Sequence, residues 1–252
     1  MARLARALTT ELPWSGIRAF CLLAVRRADV RIEGLEHLPA TGPAVIAARH
    51  FHHFYDGCAL LAIVPRPLHV VVALDWVVNP AGRRVMAGAC RAAGWPAFNR
   101  PDRPGTPADN GADRARLRAA TRDSVQVLRA GRMLLVFPEG YPNIDPGYTP
   151  KAGDDAFLPF RPGFLRFVAM AERDGHTRVP IIPAGLEYRR GDRWRLTVRF
   201  GAPVALDPER DYGEQVAAIE ERVRVLSHHG HPCQEEEAHD RSDPIGTPLS
   251  PP

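Results

Sequence analysis

The stretch PAVIAARHFHHFYDG, residues 43 to 57, passes from an uninterrupted apolar run into a loop that holds three histidines and an aspartate. A short apolar run after Thr41-Gly42-Pro43 predicts a buried strand of the kind that helices cover. Imidazole is the side chain most readily poised as a base near neutral pH, and a nearby carboxylate can hold its ring in the useful tautomer. This segment is therefore the first candidate for chemistry.

Outward from it, VRIEGLEHLP reads as a strand and turn, and GCALLAIVP as a helix stopped by Pro65. LHVVVAL is a second β-rich run, residues 78 to 93 are helical, and PDRPGTPADNGAD, 101 to 113, is a loop without periodicity. DRARLRAATRDSVQVLRAG carries apolar residues at helical spacing with Gly131 as its stop, and the strand MLLVF follows. After a polar loop over 141 to 157 come the helix FLRFVAMAERDG and two strands, VPIIPAGLEY and RWRLTVRFG, around the turn RRGD. Such alternation predicts an α/β domain over residues 29 to 226, with a mixed, mostly parallel sheet flanked by helices. From residue 227 to 252 too few large apolar residues remain to pack, which predicts a disordered tail.

Residues 1 to 28 read as amphipathic helices broken at Pro13, the second carrying WSGIRAFCLLAV with Arg26 and Arg27 just beyond. An apolar helix with tryptophan at one end and arginines at the other suits a bilayer interface, although it equally suits packing on the domain's own core. No apolar run reaches the length of a membrane span, the start has no signal-peptide pattern, and Cys21, Cys58, Cys90 and Cys233 form no C-x-x-C pair. The expectation is a cytoplasmic protein, peripheral on the membrane's inner face. Its formal charge of +4 is almost wholly arginine, Lys151 being the only lysine. With no nucleic-acid motif beside it, that charge points to anionic partners such as phospholipid headgroups and not to nucleic acid.

Four blocks follow one another along the chain: ARHFHHFYDG, GWPAFNRP, VFPEGYPN and VPIIPAGLEY. In this order they resemble the motifs of the glycerolipid acyltransferase family, of which 1-acyl-sn-glycerol-3-phosphate acyltransferase is the type member, over roughly residues 30 to 205. The family's first motif is His, four residues, Asp, in which histidine is the general base and aspartate orients it. Here Phe51 stands five before Asp56, whereas His50 stands six and His52 four before it. Keeping the strand in register makes His50 the preferred base, with one residue inserted after it. His52 and His53 remain the alternatives.

The resemblance further implies that Arg100 holds an acceptor phosphate, with Arg103 as a second candidate, and that Glu139 and Gly140, at a strand end, bind the acceptor. Tyr141-Pro142 replaces the family's Thr-Arg, so a phosphate-binding arginine is missing and Lys151 and Arg161 are the nearest candidates to replace it. Arg49 stands where the family has asparagine. The implied reaction moves a fatty acyl group from acyl-CoA or acyl carrier protein to a hydroxyl of a lysophospholipid or related lipid, with no metal and no tightly bound cofactor. Two readings compete with it: a metal-dependent hydrolase using the His/Asp cluster as ligands, and a lipid-binding member of the fold that has lost catalysis through the altered loop.

Overall fold

The computed structural model of the chain describes residues 2–228 except 78, 101–110, 146, 174 and 176, with side chains from Trp14 onward. The loop expected at 101 to 110, with Arg103, and the tail from 229 lie outside these residues.

Helix α1 spans Ala2–Val25 and strand β1 Asp29–Glu33; strand β2, Ala44–Ala48, leads to helix α2, Tyr55–Ile63. The run LHVVVAL divides into β3, Leu68–Val70, and β4, Val72–Ala73; helix α3, Pro80–Ala93, and β5, Ala97–Phe98, follow. Helix α4, Gly111–Arg129, β6, Met133–Val136, and helix α5, Gly163–Glu172, precede the long strand β7, Ile181–Arg189. Strand β8, Arg195–Phe200, and helix α6, Tyr212–His228, complete the described chain.

Six strands form one sheet in the order β1-β8-β7-β2-β6-β3, parallel throughout except for the β7–β8 pair, while β4 and β5 pair apart from it. Alternate residues of β2 serve opposite faces. Ala44, Ile46 and Ala48 join a core with α1 and α2, and Val45 and Ala47 join one with α4, α5 and α6. Two covered faces explain why β2 reads as a continuous apolar run. The expected mixed, mostly parallel α/β sheet flanked by helices is the fold observed.

Three expectations change at the level of elements. Helix α1 continues through Pro13, which removes one backbone donor without ending the helix. Residues 111 to 113, expected in the loop, open α4 instead. Ser227 and His228, expected in the tail, close α6, with Ser227 donating to the Val223 carbonyl at 2.7 Å.

Helix α6 lies so close to β7 that a Cβ on Gly185 would stand 2.3 Å from the Leu226 carbonyl carbon and 2.5 Å from its oxygen. Gly185→Ala is therefore expected to cost about 1–3 kcal/mol, the range for overpacking a close-packed interior. A urea unfolding midpoint equal to that of the parent chain would show that α6 does not bear on β7 in this way.

Candidate functional site

The site forms where β2 and β6 end. These strands run parallel in adjacent places, with Ala47 opposite Val136, so the loops that leave their C-terminal ends meet. His50 stands two residues past β2 and Glu139 three past β6, and the His50 amide donates to Glu139 Oε1 at 2.8 Å. Loops at the C-terminal ends of parallel strands are where α/β sheets gather functional groups.

Asp56, in the first turn of α2, is wholly buried. Its Oδ2 accepts from His50 Nδ1 at 3.0 Å, from the Phe51 amide at 2.6 Å and from the His52 amide at 2.9 Å. Its Oδ1 accepts from the Tyr188 hydroxyl at 2.7 Å. The loop from His50 to Asp56 thus wraps the carboxylate, and two successive amides bond the same oxygen as the ring. Because a carboxylate oxygen accepts, Nδ1 of His50 carries the proton of this bond, and in the neutral tautomer so defined the lone pair falls on Nε2. The ring stacks on Phe137 with centroids 4.2 Å apart and keeps 14% of its side chain exposed.

His52 and His53 are placed otherwise. Nδ1 of His52 accepts from the amides of Phe54 and Tyr55 at 3.2 and 3.4 Å, so this ring caps the start of α2. Burial lowers its pKa, and the neighbouring His53 lowers it further. The ring of His53 lies between those of His52 and Trp76. Neither ring hydrogen-bonds Asp56 among the described residues, and no three His, Cys, Asp or Glu residues there are grouped as metal ligands.

Glu139 and Lys151 form an ion pair at 2.6 Å, and both side chains are fully excluded from water. Glu139 Oε2 also accepts from the Leu158 amide at 3.0 Å. Lys151 spends its other two protons on the His50 carbonyl at 2.7 Å and on Asn143 Oδ1 at 3.0 Å. Burial lowers its pKa, against the opposing pull of Glu139. All three donors of Lys151 are thus engaged within the protein, and this lysine holds the loop that carries His50.

Arg100 is also buried. Its Nε meets Asp75 Oδ2 at 2.8 Å, one terminal nitrogen donates to the Gly140 carbonyl at 2.7 Å, and its guanidinium covers the Tyr141 ring at 4.1 Å. Arg161 approaches the same ring from 5.7 Å and lies where a side chain on Gly140 would go, 3.1 Å from an added Cβ. Gly140 has a φ of 78°, which glycine adopts without strain. Arg100, Gly140 and Arg161 therefore surround Tyr141 beside the Glu139 turn.

Sequence reasoning missed Tyr188, Asp75 and the role of Arg49. Burial, and then the charge of Asp56, raise the Tyr188 pKa well above its ordinary value, so the hydroxyl stays a donor. Its one sequence signal is a phenol that ends the apolar run VPIIPAGLEY. Arg49 lies against the rings of Phe51 and Phe157 and donates to the carbonyls of Leu186 and Asp154. Cys58 is buried, and its pKa is raised by bonding with the Cys21 thiol and then by burial, which leaves it a poor nucleophile.

The family model described as Acyltransferase matches residues 29–187 of this chain. No curated protein matches it. Among solved structures, it is similar to the 1-acyl-sn-glycerophosphate (LPA) acyltransferase PlsC from Thermotoga maritima. The TM-score is 0.55 and the identity 17%, over 84% of this chain and 77% of that one, a likeness of fold.

Lys151→Met should strand the Glu139 carboxylate in the interior and cost about 3–5 kcal/mol, the range for breaking a buried pair. The double variant Glu139→Gln/Lys151→Met removes both charges and should recover part of that loss. Denaturant titration of the parent and both variants checks this, and a single variant as stable as the parent would mean that the pair does not hold the site.

Proposed function

The chain belongs to the acyltransferase family, and from that premise we propose that it moves a fatty acyl group from acyl-CoA or acyl carrier protein to a hydroxyl of a lysophospholipid or related lipid. The observation that carries the proposal is the His50–Asp56 pair at 3.0 Å, with the proton on Nδ1 and the lone pair of Nε2 left for substrate.

In this reading the acceptor hydroxyl gives its proton to His50 Nε2 as its oxygen attacks the thioester carbonyl. Asp56 stabilises the imidazolium, and Tyr188 fixes the carboxylate so that one oxygen faces the ring. Collapse of the tetrahedral adduct breaks the C–S bond, and the departing sulfur takes the proton back from the ring. A thiol leaves readily, so no second acid is needed. Glu139 is assigned a positioning role, through the His50 amide, and not direct contact with acceptor. Arg100 and Arg161, at the Gly140 turn, are assigned to the acceptor's polar head. Since Arg100 already carries Asp75, the phosphorylated acceptor of the type member is one candidate among several hydroxyl lipids.

The reading includes peripheral contact with the cytoplasmic face of a membrane through residues 1 to 28. The support is the outer face of α1, where Phe20, Leu22 and Leu23 stay exposed. Trp14 packs into the core beside Cys21 and Val25, so it anchors the helix to the domain.

Turnover of labelled acyl-CoA and acyl carrier protein against a panel of phosphorylated and unphosphorylated lyso-lipids tests the function. Acyl transfer to at least one acceptor is expected; hydrolysis alone, or no turnover with any pair, would sink it.

On the best pair, His50→Ala is expected to lower kcat by about 10²-fold or more, the range for losing a positioned base. Asp56→Asn should be comparably severe, while His52→Ala and His53→Ala should act more weakly, through the cap of α2 and through packing. Steady-state kinetics with circular dichroism decides this: an active His50→Ala beside an inactive, folded His52→Ala would move the base two residues along.

A further inference from the structure

Beyond Tyr188 lies a basic groove to which the proton and acyl steps give no task. Strand β7 runs parallel to β2, so Arg189, its last residue, lies at the sheet end that holds His50. Strands β1 and β8 run opposite to β7, which brings their first residues, Asp29 and Arg195, to that same end as partners. The end of α1 and the RRGDRWR turn, residues 189 to 195, meet there. Arg26 and Arg27 stand with Arg190, Arg193 and Trp194 around an open groove of about 700 Å³, and Arg193 and Arg195 continue it into a hollow of about 530 Å³. Small-molecule sites span about 300–1,000 Å³.

The lining suits a nucleotide that carries several phosphates. All five arginines are exposed, and none is ion-paired among the described residues. Asp29 and Asp192 are the acids of the groove, so positive charge prevails there. Guanidinium matches phosphate geometry and keeps its charge. One aromatic surface sits among these cations. Trp194 is half-buried, edge-on to Tyr188 at 6.0 Å, with the Arg190 guanidinium 5.3 Å from its ring. An indole and a guanidinium are both surfaces on which a nucleobase stacks.

We propose that this groove binds the 3′-phosphorylated adenosine diphosphate end of coenzyme A, which makes acyl-CoA the donor. Adenine lies against Trp194 and Arg190, and the phosphates lie on Arg26, Arg27, Arg193 and Arg195. Trp194 adjoins Tyr188, the Tyr188 hydroxyl bonds Asp56 at 2.7 Å, and Asp56 holds the His50 ring at 3.0 Å. Pantetheine has the backbone length of about four residues, about 14 Å when extended. An arm of that reach, leaving the groove, carries its thioester past Tyr188 to His50. A carrier protein offers one phosphodiester and no nucleobase, and a phospholipid offers phosphate and no nucleobase, so either would leave Trp194 unused. That the nucleotide belongs to the donor rests on the acyltransferase reading, whereas nucleotide binding itself does not.

Calorimetric titration of the full chain with coenzyme A, dephospho-coenzyme A and 4′-phosphopantetheine tests the groove. Coenzyme A should bind, dephospho-coenzyme A should bind about tenfold more weakly for want of the 3′-phosphate, and 4′-phosphopantetheine more weakly still. Arg190→Ser/Arg193→Ser should weaken coenzyme A about tenfold or more. Trp194→Leu should lower the discrimination between coenzyme A and 4′-phosphopantetheine about fivefold or more. In steady-state kinetics the arginine variant should raise the KM for acyl-CoA and lower the parent's preference for acyl-CoA over acyl-pantetheine about tenfold.

Coenzyme A that binds no more tightly than 4′-phosphopantetheine, or as tightly to the arginine variant as to the parent, would overturn the proposal. So would an arginine variant that loses phosphatidylglycerol vesicles yet keeps its affinity for coenzyme A, which gives the groove to lipid headgroups. Loss of turnover with acyl carrier protein in equal measure to acyl-CoA would also sink it. A chain that binds coenzyme A in the groove yet transfers no acyl group from any donor overturns the acyltransferase reading alone. One that uses acyl-CoA and acyl-pantetheine equally well overturns the nucleotide site alone.

Discussion

Glu139 and Lys151 meet at 2.6 Å with both side chains sealed from water, and the whole site leans on that contact. A buried charge is tolerated only when it is paired and its remaining hydrogen-bonding groups are satisfied. Here satisfying them means reaching the amide and carbonyl of His50, the Leu158 amide and Asn143. The loop after β2, the turn after β6 and the segment from 143 to 158 therefore set one another's positions. Parallel pairing of β2 with β6 brings these segments to the same end of the sheet, and the ion pair draws them into one conformation.

A second buried carboxylate organises the other side of the histidine. Asp56 takes four hydrogen bonds, two from backbone amides, one from the His50 ring and one from Tyr188. A straight chain after β2 would carry the His50 ring away from Asp56. It curls instead, Phe51 packs its ring on Tyr188 at 4.6 Å, and the pair closes at 3.0 Å. The same curl commits His52 to capping α2, so the three histidines have separate tasks: one faces Asp56, one caps a helix and one packs on Trp76.

Residue patterns predicted much of the scaffold because the signals were local. The apolar run at 44 to 48, the helical spacing that ends at Gly131 and the turn between β7 and β8 needed only neighbours in the chain. Less legible were features whose signal is split between distant segments. Asp75 meets Arg100, and Arg199 joins Glu33 and Glu187 to the Leu226 carbonyl, across separations that no sequence window spans. Lys151 looked like a phosphate ligand because a lone lysine in a polar loop ordinarily faces solvent. Its burial depends on where Glu139 arrives. Trp14 suited an interface and the core equally, and only the packing of α1 turned it inward.

By itself the sequence determined the alternation of strands and helices, the mostly parallel sheet that follows from it and the family's motif blocks in their order. These depend on the periodicity of side chains and on residue types that chemistry restricts. Only the tertiary structure decided which histidine faces Asp56, that Tyr188 completes the carboxylate's bonds, that Lys151 is a strut and that Arg26 and Arg27 stand beside Arg190 and Arg193. Each of these depends on the three-dimensional meeting of groups distant in the chain, or on the exact curl of an irregular loop. Periodicity along the chain carries no record of either.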